Sequence, residues 1–160
     1  MKRAMVITVS TRVAAGTAID TSGPALASGL VDLGFEVSGP QVVSDGEPLE
    51  AALRDGITAG FDIVITTGGT GLTPTDRTPE VTDRVIRVPI PGIAEALRTQ
   101  GMASGIPTAM LSRGRAGLAG ATLVINLPGS RGAVTDALTV LGPVLLHAVE
   151  QIAGSDHPLA

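Results

Sequence analysis

The chain has 160 residues, of which 44% are hydrophobic and 16% charged, and its formal net charge at pH 7 is −4. It has no Cys, Trp or Tyr, one Lys and two His, which excludes thiol nucleophiles, disulfides and cysteine metal sites and argues against a Schiff-base lysine or a histidine-dependent triad. The acidic balance and the presence of only two Phe residues argue against a nucleic-acid interface.

The amino terminus does not read as a targeting segment. The apolar run 4–9 after Lys2 and Arg3 is shorter than the apolar core of a signal peptide, so a first β-strand is the better interpretation. No apolar run in the sequence approaches the roughly 18 residues that a membrane span requires. We therefore expect a soluble, cytoplasmic protein with neither a membrane nor a nucleic acid as partner.

Apolar runs alternate with helical patterns along the chain. Thr78 is placed to cap the third predicted helix, and Pro143 to kink the last one or split it in two. The second predicted strand is interrupted near Gly39 and Pro40. In chain order, the predicted elements are a strand at 3–10, a helix at 21–33, a strand at 35–44, a helix at 48–59, a strand at 61–67, helices at 78–86 and 92–102, a strand at 121–127 and a helix at 132–153.

This alternation, with strands that are apolar almost throughout, predicts an α/β fold with a mostly parallel sheet. A single domain is expected over residues 1–154, with a disordered tail at 155–160. Ligands of open α/β sheets bind at the carboxyl ends of the strands, and three segments rich in Gly and small polar residues follow predicted strands.

The first of these segments is 66–71, with the sequence TTGGTG. Glycine lets backbone N–H groups approach an anion closely, and the hydroxyls of Thr67 and Thr70 add further donors, so the segment is a candidate phosphate cradle. A tight strand-to-helix turn explains the same residues equally well. The segment lacks the spacing of a dinucleotide-binding motif.

The second segment brings Asp76 and Arg77 next to this glycine loop. Mg²⁺ in proteins is held by one or two carboxylates together with substrate phosphates, so Asp76 is a candidate metal ligand. An Asp beside Pro and Thr is more often a turn or capping residue, and that alternative is favoured for Asp76 in isolation.

The third segment is 126–130, with the sequence NLPGS, which offers either an anion site or an ordinary strand exit. Two further loops follow the first two predicted strands, one with Ser10 and Arg12 and one with Asp45. Taken together, the residues predict an α/β protein that binds a phosphorylated small molecule, with Mg²⁺ as a possible cofactor.

Four blocks of sequence resemble the MogA/MoaB family, which includes the G domain of gephyrin. They are TTGGTG at 66–71 followed by Asp76 and TPE at 78–80, PGIAEALR at 91–98, AMLSR at 109–113, and NLPG at 126–129. The blocks occur in the family's order, and the resemblance covers about residues 3–153.

The resemblance implies a three-layer α/β/α molybdopterin-binding fold and a role in molybdenum cofactor biosynthesis. Family enzymes adenylylate molybdopterin with Mg²⁺ and ATP and release pyrophosphate, so ATP and molybdopterin are the implied substrates. The resemblance also implies a homotrimer and a contact with a molybdenum-insertion protein.

By the same resemblance, Asp45 and Asp76 are the key carboxylates, which bind Mg²⁺ and position the phosphates, and Glu95 and Arg98 belong to the pterin side of the pocket. Two positions depart from the family pattern: Thr11 stands where the family often has Asp, and Ile93 where it often has Phe. The implied binding residues are Ser10, Arg12, Thr67, Gly68, Gly69, Thr70, Gly71, Gly92, Glu95, Arg98, Ser112, Asn126, Pro128, Gly129 and Ser130.

Two alternatives remain open at this point. Some family members are thought to bind molybdopterin without catalysis, and Thr11 is compatible with that weaker function. A related fold processes another nucleotide in competence-damage proteins, although the usual companion domain of those proteins does not occur in this sequence.

Overall fold

Within residues 1–154, which the structure describes, six strands form one mixed sheet in the order β2-β1-β3-β6-β5-β4. The structure is a computed structural model. The predicted tail at 155–160 lies outside the described residues. The strands are β1 Arg3–Val9, β2 Glu36–Val43, β3 Ile63–Thr67, β4 Val88–Pro89, β5 Ala116–Ala119 and β6 Thr122–Leu127.

The central pairs of the sheet, β2 with β1, β1 with β3 and β3 with β6, are parallel, whereas β5 and β4 add an antiparallel edge. The predicted α/β fold with a mostly parallel sheet is therefore confirmed. The expected interruption of the second strand is a register shift, because Met5 pairs with Ser38 and Ile7 with Gln41. Gly39 and Pro40 together face the single residue Val6, so β2 has one extra residue at this bulge.

Side chains of the central strands alternate between two separate cores. On β3, Ile63 and Ile65 belong to one core and Val64 to the other, as a strand period of two requires. Leu30 and Leu141 cover the first face from two helices. The helices are α1 Thr11–Ala14, α2 Ser22–Asp32, α3 Glu47–Thr58, α4 Thr78–Asp83, α5 Pro91–Ala103 and α6 Arg131–Ile152, with a short 3-10 helix at Pro107–Leu111.

Helices α2 and α6 supply the first core, and α3 and α4 supply the second, so the sheet lies between two helical layers. The three-layer arrangement implied by the family resemblance is thus the observed one. Sequence patterns did not predict α1, the 3-10 helix or the short strands β4 and β5. These elements have at most five residues each, too few to show a period.

The predicted split of the last helix at Pro143 is wrong, because α6 is one helix of 22 residues with Pro143 inside it. Pro143 lies on the exposed side, while Leu141 and Leu145 on either side of it are buried in the core. Continuous packing of this inner face compensates for the backbone hydrogen bond that a proline cannot donate.

Helix α6 is the one helix in the described part of the chain that is long and apolar enough to cross a membrane, judged by length and composition alone. This is weak evidence for a span, because the same helix contributes a buried stripe to the first core. The buried residues of the stripe are Val134, Ala137, Leu141, Leu145 and Val149.

Candidate functional site

Parallel pairing brings the carboxyl ends of β1, β3 and β6 to one edge of the sheet. Thr8 of β1 is in register with Thr67 of β3, which is in register with Leu127 of β6. The loops with Ser10, with the predicted glycine segment and with Pro128 therefore leave the sheet side by side. The sequence expectation that these segments meet is consistent with this register.

Two cavities open among these loops. The polar cavity, of about 510 Å³, is bordered by Ser10, Arg12, Asp20, Asp76, Gly129 and the segment 67–71, among others. The apolar cavity, of about 480 Å³, is bordered mainly by small and aliphatic residues of α5, the 3-10 helix and α6. Gly71 and Pro128 border both cavities, so the two spaces are neighbours separated by one short wall.

The glycine loop touches its neighbours so closely that side chains are excluded. A Cβ on Gly68 would collide with the carbonyl oxygen of Val9, and one on Gly129 would lie 3.1 Å from the Cα of Gly68. Gly68 also adopts a φ of 106°, a left-handed conformation that favours glycine. Its N–H donates to the carbonyl of Leu127 at 2.9 Å, so this glycine fastens the turn to β6.

The next three backbone N–H groups, of Gly69, Thr70 and Gly71, have no hydrogen-bond acceptor among residues 1–154. All three residues border the polar cavity. Successive free N–H groups in a glycine turn form a concave binding site for anions. The loop is therefore both a tight turn, through Gly68, and a candidate phosphate cradle, through the three residues after it.

Asp45 fastens the far end of this loop to the start of α4. Its Oδ2 accepts from the backbone N–H of Arg77 at 2.8 Å and from the hydroxyl of Thr78 at 3.1 Å, and its Oδ1 accepts from its own neighbour Gly46. The N-cap residue of α4 is Arg77, so the predicted capping by Thr78 is wrong. Asp45 borders neither of the two cavities.

Asp76 is a turn residue that also borders the polar cavity. Its Oδ2 accepts from the N–H of Thr73 at 3.1 Å, and a Cβ on Gly71 would lie 2.8 Å from the same oxygen. The side chain is partly exposed, and Oδ1 has no hydrogen bond within the described residues. Asp76 can therefore hold Mg²⁺ jointly with substrate phosphates, whereas the hydrogen bonds of Asp45 leave it less free to do so.

Within residues 1–154 no group of three or more acidic or histidine side chains is placed to hold a metal.

Arg113 holds the glycine loop from the other side. Its backbone N–H donates to Thr70 O, and its guanidinium donates to the carbonyls of Gly71 at 2.9 Å and Asp76 at 2.8 Å and to the carboxylate of Glu80. The hydrogen bond from Arg113 lowers the pKa of Glu80 below its usual 4.5. One planar guanidinium thus fixes three points of the segment that carries Asp76.

The side chains of several predicted binding residues form hydrogen bonds within the protein itself. Thr67 donates its hydroxyl to Pro128 O, so the expected free donor is absent, and the amide of buried Asn126 donates to the hydroxyls of Thr66 and Thr82. Ser10 and Ser130 accept from backbone N–H groups at the starts of α1 and α6, and Ser112 donates to the hydroxyl of Thr70.

Of the predicted binding residues in the segment 91–98, one borders a cavity and two do not. Arg98 borders the apolar cavity and donates to the carbonyl of Ser112 at 3.3 Å. Gly92 and Glu95 are exposed and border neither cavity. Ile93 packs against the first core.

The sequence profile of a family described as "Probable molybdopterin binding domain" matches residues 5–147. A solved structure described as "anomalous substructure of MogA" superposes with a TM-score of 0.91 at 52% identity, covering 94% of this chain and 99% of that one. The chain belongs to the MogA/MoaB family. The motifs that resembled this family in the sequence therefore identified it correctly.

Two curated members of the family have informative names. A "Molybdenum cofactor biosynthesis bifunctional protein" of Synechococcus elongatus is 42% identical over 96% of this chain and 48% of its own length. A "Molybdopterin adenylyltransferase" of Helicobacter pylori is 39% identical over 59% of this chain and 53% of its own length. The chain spans about half the length of these relatives.

Two acidic residues of the MogA/MoaB-like site were missed in the sequence. Asp20 borders the polar cavity and accepts from the hydroxyl of Thr8 and the N–H of Gly23, and its position just before α2 was the available signal. Asp136 borders the apolar cavity from inside α6. No local sequence signal marks Asp136, because a polar residue on an amphipathic helix is ordinarily a solvent-exposed one.

Proposed function

We propose that this protein adenylylates molybdopterin, using Mg²⁺ and ATP and releasing pyrophosphate. One observation carries the proposal: two cavities of similar volume and unlike chemistry share the wall formed by Gly71 and Pro128. A transfer between two bound molecules requires two adjacent sites of this kind, so that the reacting groups meet at the common border.

The polar cavity suits the nucleotide. The free N–H groups of Gly69, Thr70 and Gly71 can donate hydrogen bonds to its phosphate oxygens, and Arg12 and Asp76 stand on the border of the same space. Bound Mg²⁺ would be held by Asp76 and would neutralise charge on the phosphates. The sequence has no Trp or Tyr, so adenine rests on aliphatic side chains and backbone groups.

The apolar cavity suits molybdopterin. Arg98 at its border is a cation for the substrate's phosphate, and leucine and alanine side chains of α5 and the 3-10 helix supply apolar surface for the pterin ring. In the transfer, an oxygen of the molybdopterin phosphate forms a bond to the α-phosphorus of ATP. The bond from that phosphorus to the bridging oxygen breaks, and its electron pair leaves with pyrophosphate.

This reaction requires no nucleophile from the protein, which agrees with the absence of Cys and the engaged hydroxyls of Thr67, Ser112 and Ser130. The protein's contribution is to orient the two phosphates and to stabilise charge with backbone N–H groups and arginine. Asp45 acts from a distance, by holding the loop at Arg77 and Thr78 in place.

The proposed site of action is the cytoplasm, and the proposed assembly is a homotrimer that delivers its product to a molybdenum-insertion protein. Support for self-association comes from large apolar side chains exposed at and near the apolar cavity, namely Leu72, Ile106, Met110 and Leu111. Light scattering at micromolar concentration tests this directly, and a monomer would contradict it.

The decisive experiment incubates the purified full chain with molybdopterin, ATP and MgCl₂ and detects the adenylylated product by mass spectrometry. Asp76→Asn is expected to lower the rate on the order of a hundredfold. Asp55→Asn, on an exposed position of α3, is the matched control and should leave the rate unchanged. Wild-type rates in Asp76→Asn would refute the role of Asp76.

A second candidate function is binding of molybdopterin without catalysis. It is favoured by Thr11, an exposed residue at the start of α1 in the position where the family often has a carboxylate. Calorimetry separates the two functions, because a pure binding protein would bind molybdopterin and show no binding of ATP with Mg²⁺.

A further inference from the structure

Asp136 is an acidic side chain in the wall of an otherwise apolar cavity. The residues that border this cavity include two charged ones, Arg98 and Asp136, and no ion pair joins them within residues 1–154. Asp136 is half-buried and lies in the second turn of α6. A carboxylate beside apolar walls needs hydrogen-bond donors, which makes it a recognition group for a ligand that brings them.

The direction of this carboxylate is set by α5. Its Oδ1 accepts from the hydroxyl of Ser104 at 2.8 Å, and the oxygen of Ser104 accepts from the side-chain amide of Gln100 at 3.2 Å. Oδ2 has no hydrogen bond among the described residues, and Oδ1 has a second lone pair. Asp136 can therefore still accept from two donors that lie side by side.

The two substrates of the proposed reaction differ at the edge that such a carboxylate would meet. A pterin has a 2-amino-4-oxopyrimidine ring, in which the ring N3–H and the 2-amino group are adjacent donors. Adenine instead places its amino donor beside a ring nitrogen that is an acceptor. A carboxylate accepts at both oxygens, so it binds the first edge and is repelled by the lone pair of the second.

We propose that Asp136 binds the 2-amino-4-oxopyrimidine edge of the pterin and so determines which of the two cavities receives the pterin. The inference rests on the proposed function, because it places the pterin in the apolar cavity. Ser104 is a positioning residue in this arrangement, since it fixes the carboxylate of Asp136 without bordering the cavity itself. Asp136 is the specificity-determining residue.

The test compares free pterin with lumazine, the 2,4-dioxo analogue, which has a carbonyl in place of the 2-amino group. Both compounds fluoresce, and the absence of Trp and Tyr from the chain leaves little protein signal to correct for. Binding is measured at pH 7 with full-length wild-type protein, Asp136→Asn and Asp55→Asn, at ligand concentrations up to the millimolar range.

Wild-type protein and Asp55→Asn should bind pterin about tenfold or more tightly than lumazine, because a hydrogen bond to a charged group is lost with the 2-amino group. Asp136→Asn should reverse or abolish this preference. Its amide can still accept from Ser104 while presenting one donor and one acceptor, which match the carbonyl and N3–H of lumazine. Circular dichroism confirms that the variant is folded.

Equal affinities in the wild type, no binding of pterin, or an unchanged preference in Asp136→Asn would each overturn the inference. The outcome is separable from that of the proposed function, because the measurement uses no ATP and no molybdopterin. Adenylylation without a preference for pterin refutes the role of Asp136 alone. A preference that depends on Asp136, in a protein without adenylylation activity, supports the inference and refutes the proposed reaction.

Discussion

The guanidinium of Arg113 donates from Nη2 to the backbone carbonyl of Asp76 at 2.8 Å, across 37 residues of chain. The same side chain holds the carbonyl of Gly71 and the carboxylate of Glu80. The carboxylate proposed to act on the substrates is thus oriented by an arginine that comes from a different loop. A change at Arg113 is expected to act through the position of Asp76.

Arg113→Lys should lower the adenylylation rate by about 10- to 100-fold while the protein stays folded, because an ammonium cannot replace the planar fork that reaches three acceptors. The loss should appear together with a raised requirement for Mg²⁺, a readout that a general loss of stability would not produce. Arg54→Lys is the control, since Arg54 makes an exposed ion pair with Glu50 within α3 and, among the described residues, has no hydrogen bond to the glycine loop or to Arg113. An unchanged Mg²⁺ requirement in Arg113→Lys would count against this role.

Gly69→Ala should destabilise the protein more than Gly60→Ala. Both glycines have nearly the same left-handed φ, 70° and 71°, so the backbone strain of about 1–2 kcal/mol is common to both substitutions. A Cβ on Gly69 would collide with Thr78 Oγ1 and Asp45 Oδ2, whereas one on Gly60 meets no atom within 4 Å. Urea unfolding measures the difference, and equal losses in the two variants would contradict the close approach of Asp45.

Glu80→Gln should lower stability at neutral pH and have no such effect in acid. The folded-state pKa of Glu80 lies below its usual 4.5 because of the hydrogen bond from Arg113, so its contribution is complete above the unfolded pKa. The contribution is lost as the pH falls through the lowered folded pKa.

The pH effect of Glu80 is expected to be small, because its side chain is 53% exposed and solvent screens the pair. The wild type and the variant should therefore differ in urea unfolding at pH 7 and converge once the pH is below the lowered folded-state pKa of Glu80. Glu47→Gln, on an exposed position at the start of α3, serves as the control. A stability difference between the two proteins that grows as the pH falls would contradict the lowered pKa of Glu80.

Asn126→Ala should cost about 1–3 kcal/mol of unfolding free energy, because it removes the shared partner of buried hydroxyls on Thr66 and Thr82 and of the N–H of Arg115. The structure assigns Asn126 a structural role as well as a place on the cavity border. Thermal unfolding checks the expectation. Full stability with a selective loss of molybdopterin binding would instead indicate that the amide acts on the ligand.

Local patterns in the sequence were sufficient for the long elements of the fold. The alternation of Ile63, Val64 and Ile65 and the helical spacing of Leu26 and Leu30 follow directly from the strand and helix periods. The short edge strands could not be found in this way, because β4 has two residues and its pairing partner lies about thirty residues further along. The split predicted as one outcome at Pro143 does not occur, because packing on the opposite side of the helix outweighs one missing hydrogen bond.

The sequence was sufficient to predict which segments form the candidate site, but not what each side chain does there. Motif order placed the glycine loop, Asp76 and the NLPG turn together, yet whether a hydroxyl is free depends on partners about 60 residues away, as with Thr67 and Pro128. Two aspartates show that roles could not be predicted from local sequence. Asp45, a predicted site residue, accepts hydrogen bonds at the start of α4, whereas Asp136, which was not predicted, borders the apolar cavity.

Gly71 and Pro128 border both cavities, so the product that the proposed reaction would form, molybdopterin joined to AMP, would occupy both spaces at once. Once one half of such a molecule is bound, the other half is held near its own site at a high effective concentration, and the affinity of the whole exceeds that of either half. The joined product is therefore expected to leave slowly. Turnover would then depend on whichever protein or reaction withdraws the product, and the family's cofactor precursor would pass between proteins with little time in free solution.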